Sequence, residues 1–178
     1  MKLRAISVFM AVAVIIPTSI SAQDLAIQSL KDLFDVTKRN VIATAEMLDT
    51  NMYQFRPADQ VRSTGEILAH IADWQYVFCS AAAGEENPRP EDFEETRTTK
   101  ARIIDALEMG FAYCESVYER ATDVGAPSTL FGRPNTLGGA LAFNSAHNYE
   151  HYGNLVTYMR LNGIVPPSSM CLLEGFHP

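Results

Sequence analysis

The sequence predicts an all-α domain, a four-helix bundle, and three observations carry that prediction. Four stretches place apolar residues at alternating steps of three and four, each long enough for a helix of roughly 20 to 27 residues. No stretch keeps the apolar/polar alternation of a half-buried strand. Nothing repeats at the spacing of a solenoid, so the helices must bury their stripes against one another.

The first helix is expected from Asp24 to about Thr50, with Ile27, Leu30, Phe34, Val41 and Leu48 on one side and Thr37 and Thr44 completing the spacing. Met52 to Arg62 contains Arg56-Pro57 and several polar residues, which makes it a loop. Ser63-Thr64-Gly65-Glu66 has the form of a capping box, in which serine and glutamate each satisfy an orphan backbone donor, so the second helix starts there. Its stripe is Ile67, His70, Trp74, Val77, Phe78 and Ala81. Gly84 to Asp92, GEENPRPED, breaks the pattern with two prolines and a charge cluster and reads as a solvated connection.

From about Thr98 the third helix carries Ile104, Leu107, Phe111, Cys114, Tyr118 and Ala121, weakened at Gly110. Gly125 to Pro134 is turn-rich and has room for at most a short extended segment. The fourth helix runs from about Thr136 to Asn162, with Gly163 placed as the left-handed residue beyond its end and Pro166-Pro167 barring its resumption. The tail to Pro178 lacks periodicity. An antiparallel arrangement is the natural one, although the first two connections are longer than a minimal bundle needs and leave room for another order.

A chain of 178 residues with 47% hydrophobic content suffices for one domain with a substantial core. At the start, Lys2 and Arg4 precede an apolar run from Ala5 to Ile16 and a small-residue segment from Pro17 to Ala22. That is the pattern of a signal peptide over residues 1–22, with the domain over residues 23–178. The apolar run is short for a bilayer span, and no cysteine at the expected cut marks a lipoprotein. Loss of Lys2 and Arg4 moves the net charge from −7 to −9. An acidic, exported, periplasmic or secreted domain is a poor partner for nucleic acid, and no later run is long enough to hold it in a membrane. A small molecule is the expected partner. Of Cys79, Cys114 and Cys171, two are expected to pair outside the cytoplasm; the sequence leaves open which, and none has C-x-x-C spacing.

The chemistry lies in His147 and His151, which at a spacing of four project together from the fourth helix on the side that also carries Leu137, Ala140, Phe143, Asn144, Asn154, Leu155 and Tyr158. Two inward imidazoles without a partner would be costly, and a divalent metal supplies one. His70, in the apolar row of the second helix, completes a three-histidine set if the two helices are neighbours. Zinc or nickel suits such ligands best, then iron, and three ligands leave a position for water or substrate. Asp73, one turn after His70, and Glu150, beside His151, are the candidate catalytic carboxylates; each lies at the edge of its stripe, where the plainer role is a solvated surface. Trp74, Asn144 and Tyr158 face the expected pocket, with packing as their plainer role. Ala142, Ala146 and Gly153 give the fourth helix a small-residue outer strip, compatible with a homodimer as with a monomer.

With EILAHIADWQ carrying His70 and HNYEHYGNLVTYMRLNG carrying His147 and His151, the chain resembles the DinB/YfiT-like proteins over nearly all of its mature length. The resemblance implies a four-helix bundle of that type with a divalent metal on those three histidines. It also implies a metal-dependent activity, thiol-dependent transfer or hydrolysis, with a non-catalytic metal- or ligand-binding bundle as the alternative. The small thiols used by such transferases are mainly cytoplasmic, so an exported member departs from the usual pattern.

Three rival chemistries fall away. A di-iron carboxylate bundle needs two E-x-x-H copies, and Glu174 to His177 is the single one. His147 to His151 also spells H-x-x-E-H, a peptidase signature with Glu150 as base, but the all-helical pattern is wrong for those enzymes. No G-x-S-x-G occurs, and no cysteine opens a helix where its thiolate would be favoured.

Overall fold

The computed structural model describes residues 21–174. The expected leader, apart from its last two residues, and His177 lie outside the described residues, as do the side chains from Cys171 onward. Helix α1 (Ala22–Met47) opens on a reciprocal cap between Ser21 and Asp24 and stops at Leu48. A short helix α2 (Thr50–Gln54) follows, capped by Asp49, where the sequence suggested the start of a loop. Its Tyr53 is buried and donates a hydrogen bond to the Ala45 carbonyl, folding the turn back on α1.

Helix α3 (Thr64–Ala83) begins at the expected Ser63/Glu66 capping box and ends at Gly84, whose φ of 68° is the left-handed conformation that glycine adopts freely. The charged connection contains one turn of helix, α4 (Phe93–Thr96), then α5 (Lys100–Arg120) starts on Thr99. Strands β1 (Pro127–Leu130) and β2 (Arg133–Thr136) form an antiparallel hairpin where one short extended segment was the most expected. Helix α6 (Leu137–Leu161) ends before Gly163 as predicted. The tail, which showed no periodicity, forms helix α7 (Pro167–Glu174), because a proline that cannot continue one helix is well suited to the first turn of the next.

The four long helices form the bundle, with α1 and α3 each packed against both α5 and α6. Directions follow from the matched residues. Gly65 lies by Ile103, Gly110 by Ala72, and Cys79 is bonded to Cys114, so α3 and α5 run parallel. Gln23 meets Asp123 and Lys100 meets Leu48, so α1 and α5 run antiparallel. His70 meets His147 while Gln75 meets Asn144, so α3 and α6 run antiparallel. The simple antiparallel order is therefore corrected at two packed pairs, α3 with α5 and, as these directions require, α1 with α6. A parallel pair needs a return crossover, and residues 85–99 supply it along the roughly 30 Å length of the 20-residue α3. This crossover lays α4 beside the middle of α3.

Phe34, Val41, Leu68, Ile71, Leu107, Phe111, Leu141 and Leu155 fill the core. Gly110 is a contact rather than a weakness, because a Cβ there would come within 2.8 Å of the Ala72 carbonyl oxygen. The open question of cysteine pairing resolves as Cys79–Cys114, which ties α3 to α5.

The inward stripe of α6 keeps Ala140, Asn144, His151, Leu155 and Tyr158 of the sequence reading but is centred roughly 60° further round the helix. Asn148, Tyr152, Leu155 and Met159 are buried, whereas Phe143 and Asn154 are exposed. The reason is that α6 packs on α1 as well as α3, which turns its buried face away from the histidines. His147 and His151 consequently lie at the rim of the core.

Candidate metal centre

His70 occupies the second turn of α3, while His147 and His151 stack one turn apart on the neighbouring α6. His70 Nε2 lies 3.3 Å from His147 Nε2, and His147 Nε2 lies 3.1 Å from His151 Nε2. The three rings offer ligand atoms all within 4.8 Å of one another. Nitrogens about 2.0–2.1 Å from a tetrahedral zinc would stand about 3.3–3.4 Å apart, so the set fits one ion with small adjustment.

The chemistry of the donor set agrees with that fit. Burial pushes the His147 imidazole down to about 3, reinforced by His151 and His70, and that of His151 down to about 4, reinforced by His70. Burial also lowers His70, against an opposing hydrogen bond from Glu94. All three rings are therefore neutral near pH 7 and able to offer a lone pair. Among the described residues, the buried Nδ1 atoms of His147 and His151 have no hydrogen-bond partner.

His70 differs, because its Nδ1 lies 2.8 Å from Glu94 Oε2. Burial pushes the Glu94 carboxyl up, but hydrogen bonds from Arg62 and His70 outweigh it and leave the group below the ordinary range. An ionised carboxylate can only accept, which puts the His70 proton on Nδ1 and turns the Nε2 lone pair toward the other rings. Arg62 Nε donates to Glu94 Oε1 at 2.6 Å, while Tyr158 donates from its hydroxyl to the Arg62 carbonyl at 3.0 Å. Trp74 and Phe78 close the opposite side of His147, with ring centroids 5.2 and 5.3 Å away. A cleft of about 680 Å³ opens at His151 and Glu94, with Arg56, Arg62, Asn154 and Tyr158 in its walls.

The other sequence candidates separate. Glu150 is exposed and lines the cleft. Asp73 is no solvated surface residue: it is 3% exposed and accepts from the backbone amides of Phe93 and Glu94 at 2.9 Å each. Asn144 turns into the core, where its amide donates to Gln75 Oε1 at 2.8 Å. Glu94 and Arg62 were missed because their meeting with His70 depends on where the crossover lands. One signal was present: Phe93, fully buried, is a lone aromatic in an acidic stretch.

A helical bundle with three convergent histidines on the rim of its core is the class that fold and site define. The chain belongs to the DinB superfamily, whose sequence model matches residues 33–155 and so includes all three histidines. An uncharacterised protein of Bacillus subtilis (strain 168), YjoA, is 29% identical over 132 residues, covering 72% of this chain and 86% of its own. A DinB-like protein from Bacillus cereus ATCC 10987 has a similar structure, with a TM-score of 0.68 at 19% identity over 79% of this chain and 95% of its own. A mycothiol-dependent maleylpyruvate isomerase superposes with a TM-score of 0.59 at 16% identity, over 72% of this chain and 60% of its own. At such identities the likeness is one of fold.

Proposed function

We propose that His70, His147 and His151 together bind one divalent metal, zinc or nickel before iron, and that the protein is a metal-dependent hydrolase or thiol-dependent transferase acting on a small molecule. The convergence of three neutral imidazoles carries this reading. The mycothiol-dependent isomerase of similar fold supports the transferase arm.

The bound ion supplies Lewis acidity and lowers the pKa of a coordinated water or thiol. Glu94 holds the His70 proton at Nδ1 and fixes the ring's angle. Arg62 keeps Glu94 ionised. Trp74 and Phe78 exclude water from the far side of His147, so the approach lies through the cleft at His151, where Glu150 is placed to exchange a proton with solvent. Arg56 and Arg62 in the cleft wall are held by Glu66 and Glu94.

Export belongs to the same proposal. It is supported by the leader-like residues 1–22 and by the Cys79–Cys114 disulfide, which suits an oxidising compartment. No helix among the described residues is long and apolar enough to cross a membrane, and the net charge of −7 speaks against nucleic acid as partner.

The test is cobalt loading of protein purified without a histidine tag. A visible spectrum that shifts on adding azide or a small thiol supports an open position and an enzyme. A spectrum indifferent to both supports the non-catalytic module, and no cobalt uptake contradicts the proposal.

A further inference from the structure

We infer that Asp73 is a positioning residue for His70: it clamps the crossover at α4 so that Glu94 meets the imidazole. The inference rests on reading His70 as a metal ligand. His70 and Asp73 stand one turn apart on α3, on the same side of the helix. A carboxylate 3% exposed is costly to take out of water unless its oxygens are satisfied. Here Oδ1 accepts from the Phe93 amide, Oδ2 from the Glu94 amide, and the Arg89 guanidinium approaches Oδ1 at 2.7 Å.

What those bonds hold is an element that cannot hold itself. Helix α4 has four residues, far below the length at which a helix is stable alone. Asp92 caps it locally, and Phe93 anchors it against Tyr76 with ring centroids 5.9 Å apart. Arg97 ties the far end of the turn to Glu91 and to Asp105 of α5, but none of these contacts bears on Glu94 itself. The two amide bonds to Asp73 do, since they seize successive residues, and the second of these is Glu94. Glu94 is also drawn away by Arg62, which it contacts through both oxygens at 2.6 and 3.4 Å. Without Asp73 the carboxylate follows Arg62, and His70 is free to carry its proton on either nitrogen. One helix thus supplies both the ring and the clamp that sets the ring's tautomer.

The experiment combines Asp73→Asn, Glu94→Gln and the double variant. Zinc affinity is measured by chelator competition, and the His70 ring nitrogens are followed by ¹⁵N NMR in metal-free protein. Asp73→Asn is expected to weaken zinc by about 10- to 100-fold, the usual range for an outer-shell partner, to move the His70 nitrogen shifts toward tautomer averaging, and to add no further loss to Glu94→Gln. An equal loss in both backgrounds, or unchanged His70 shifts, would overturn the inference. Should Asp73→Asn fail to fold, Arg89→Gln provides the same comparison: a smaller zinc loss confined to the Glu94 background supports the clamp, and a loss in both backgrounds overturns it. If wild-type protein takes up no zinc while Asp73→Asn still shifts the His70 nitrogens, the metal reading fails and the clamp stands.

Discussion

Two polar clusters, separated by about a turn of α3, use burial in opposite ways. Below the histidines, Gln75 donates to Asn148 Oδ1 at 2.7 Å and accepts from Asn144, while Asn148 donates to Thr37 and Tyr118 donates to the Leu141 carbonyl. Donors there are matched to acceptors. At the rim, three imidazoles turn Nε2 toward Nε2, and two of them have no partner at Nδ1 among the described residues. The saturated cluster fixes the packing of α1, α3 and α6 and has nothing left to bind. The rim cluster points three Nε2 atoms at one volume, the arrangement a cation completes.

The contrast breaks most sharply at His147, the ring shared by both short contacts. His147→Ala should reduce metal from one equivalent per chain to none, measured by elemental analysis of untagged protein, while the fold persists. Glu94→Gln should retain the site but weaken zinc by about 10- to 100-fold in a competition titration. Gln75→Leu should behave in the reverse manner. It orphans Asn144 and Asn148 in the core, at a cost of about 1–3 kcal/mol in chemical denaturation, and leaves zinc affinity within about two-fold.

The clusters are also distinguished by pH. The rim histidines titrate below the roughly 6.5 of an unfolded chain, so the unfolded state binds more protons as pH falls, and metal-free stability present above about pH 6.5 is lost toward pH 4. Denaturation at pH 7.5 and pH 5 should differ by roughly 2 kcal/mol for each of His147 and His151, and correspondingly less in His147→Ala. The amide cluster contributes nothing to that slope.

The same two clusters mark how far the sequence could be read. The long helices, the Ser63/Glu66 cap and the three histidines follow from local spacing, which a sequence states directly. The phase of α6 does not, because its buried face depends on having two neighbours, and Asn148 rather than His147 occupies the centre of that face. The parallel pairing of α3 with α5 is likewise a tertiary choice. It alone sends the acidic crossover back past His70, so Glu94 and the buried Asp73 had the local signature of solvated charge.

The ligand set itself is tested most directly by X-ray absorption at the zinc edge of loaded, untagged protein. The account predicts three imidazole nitrogens at about 2.0–2.1 Å in wild type and no bound zinc in His147→Ala. A first shell made of oxygens, or one unchanged by that substitution, would contradict it.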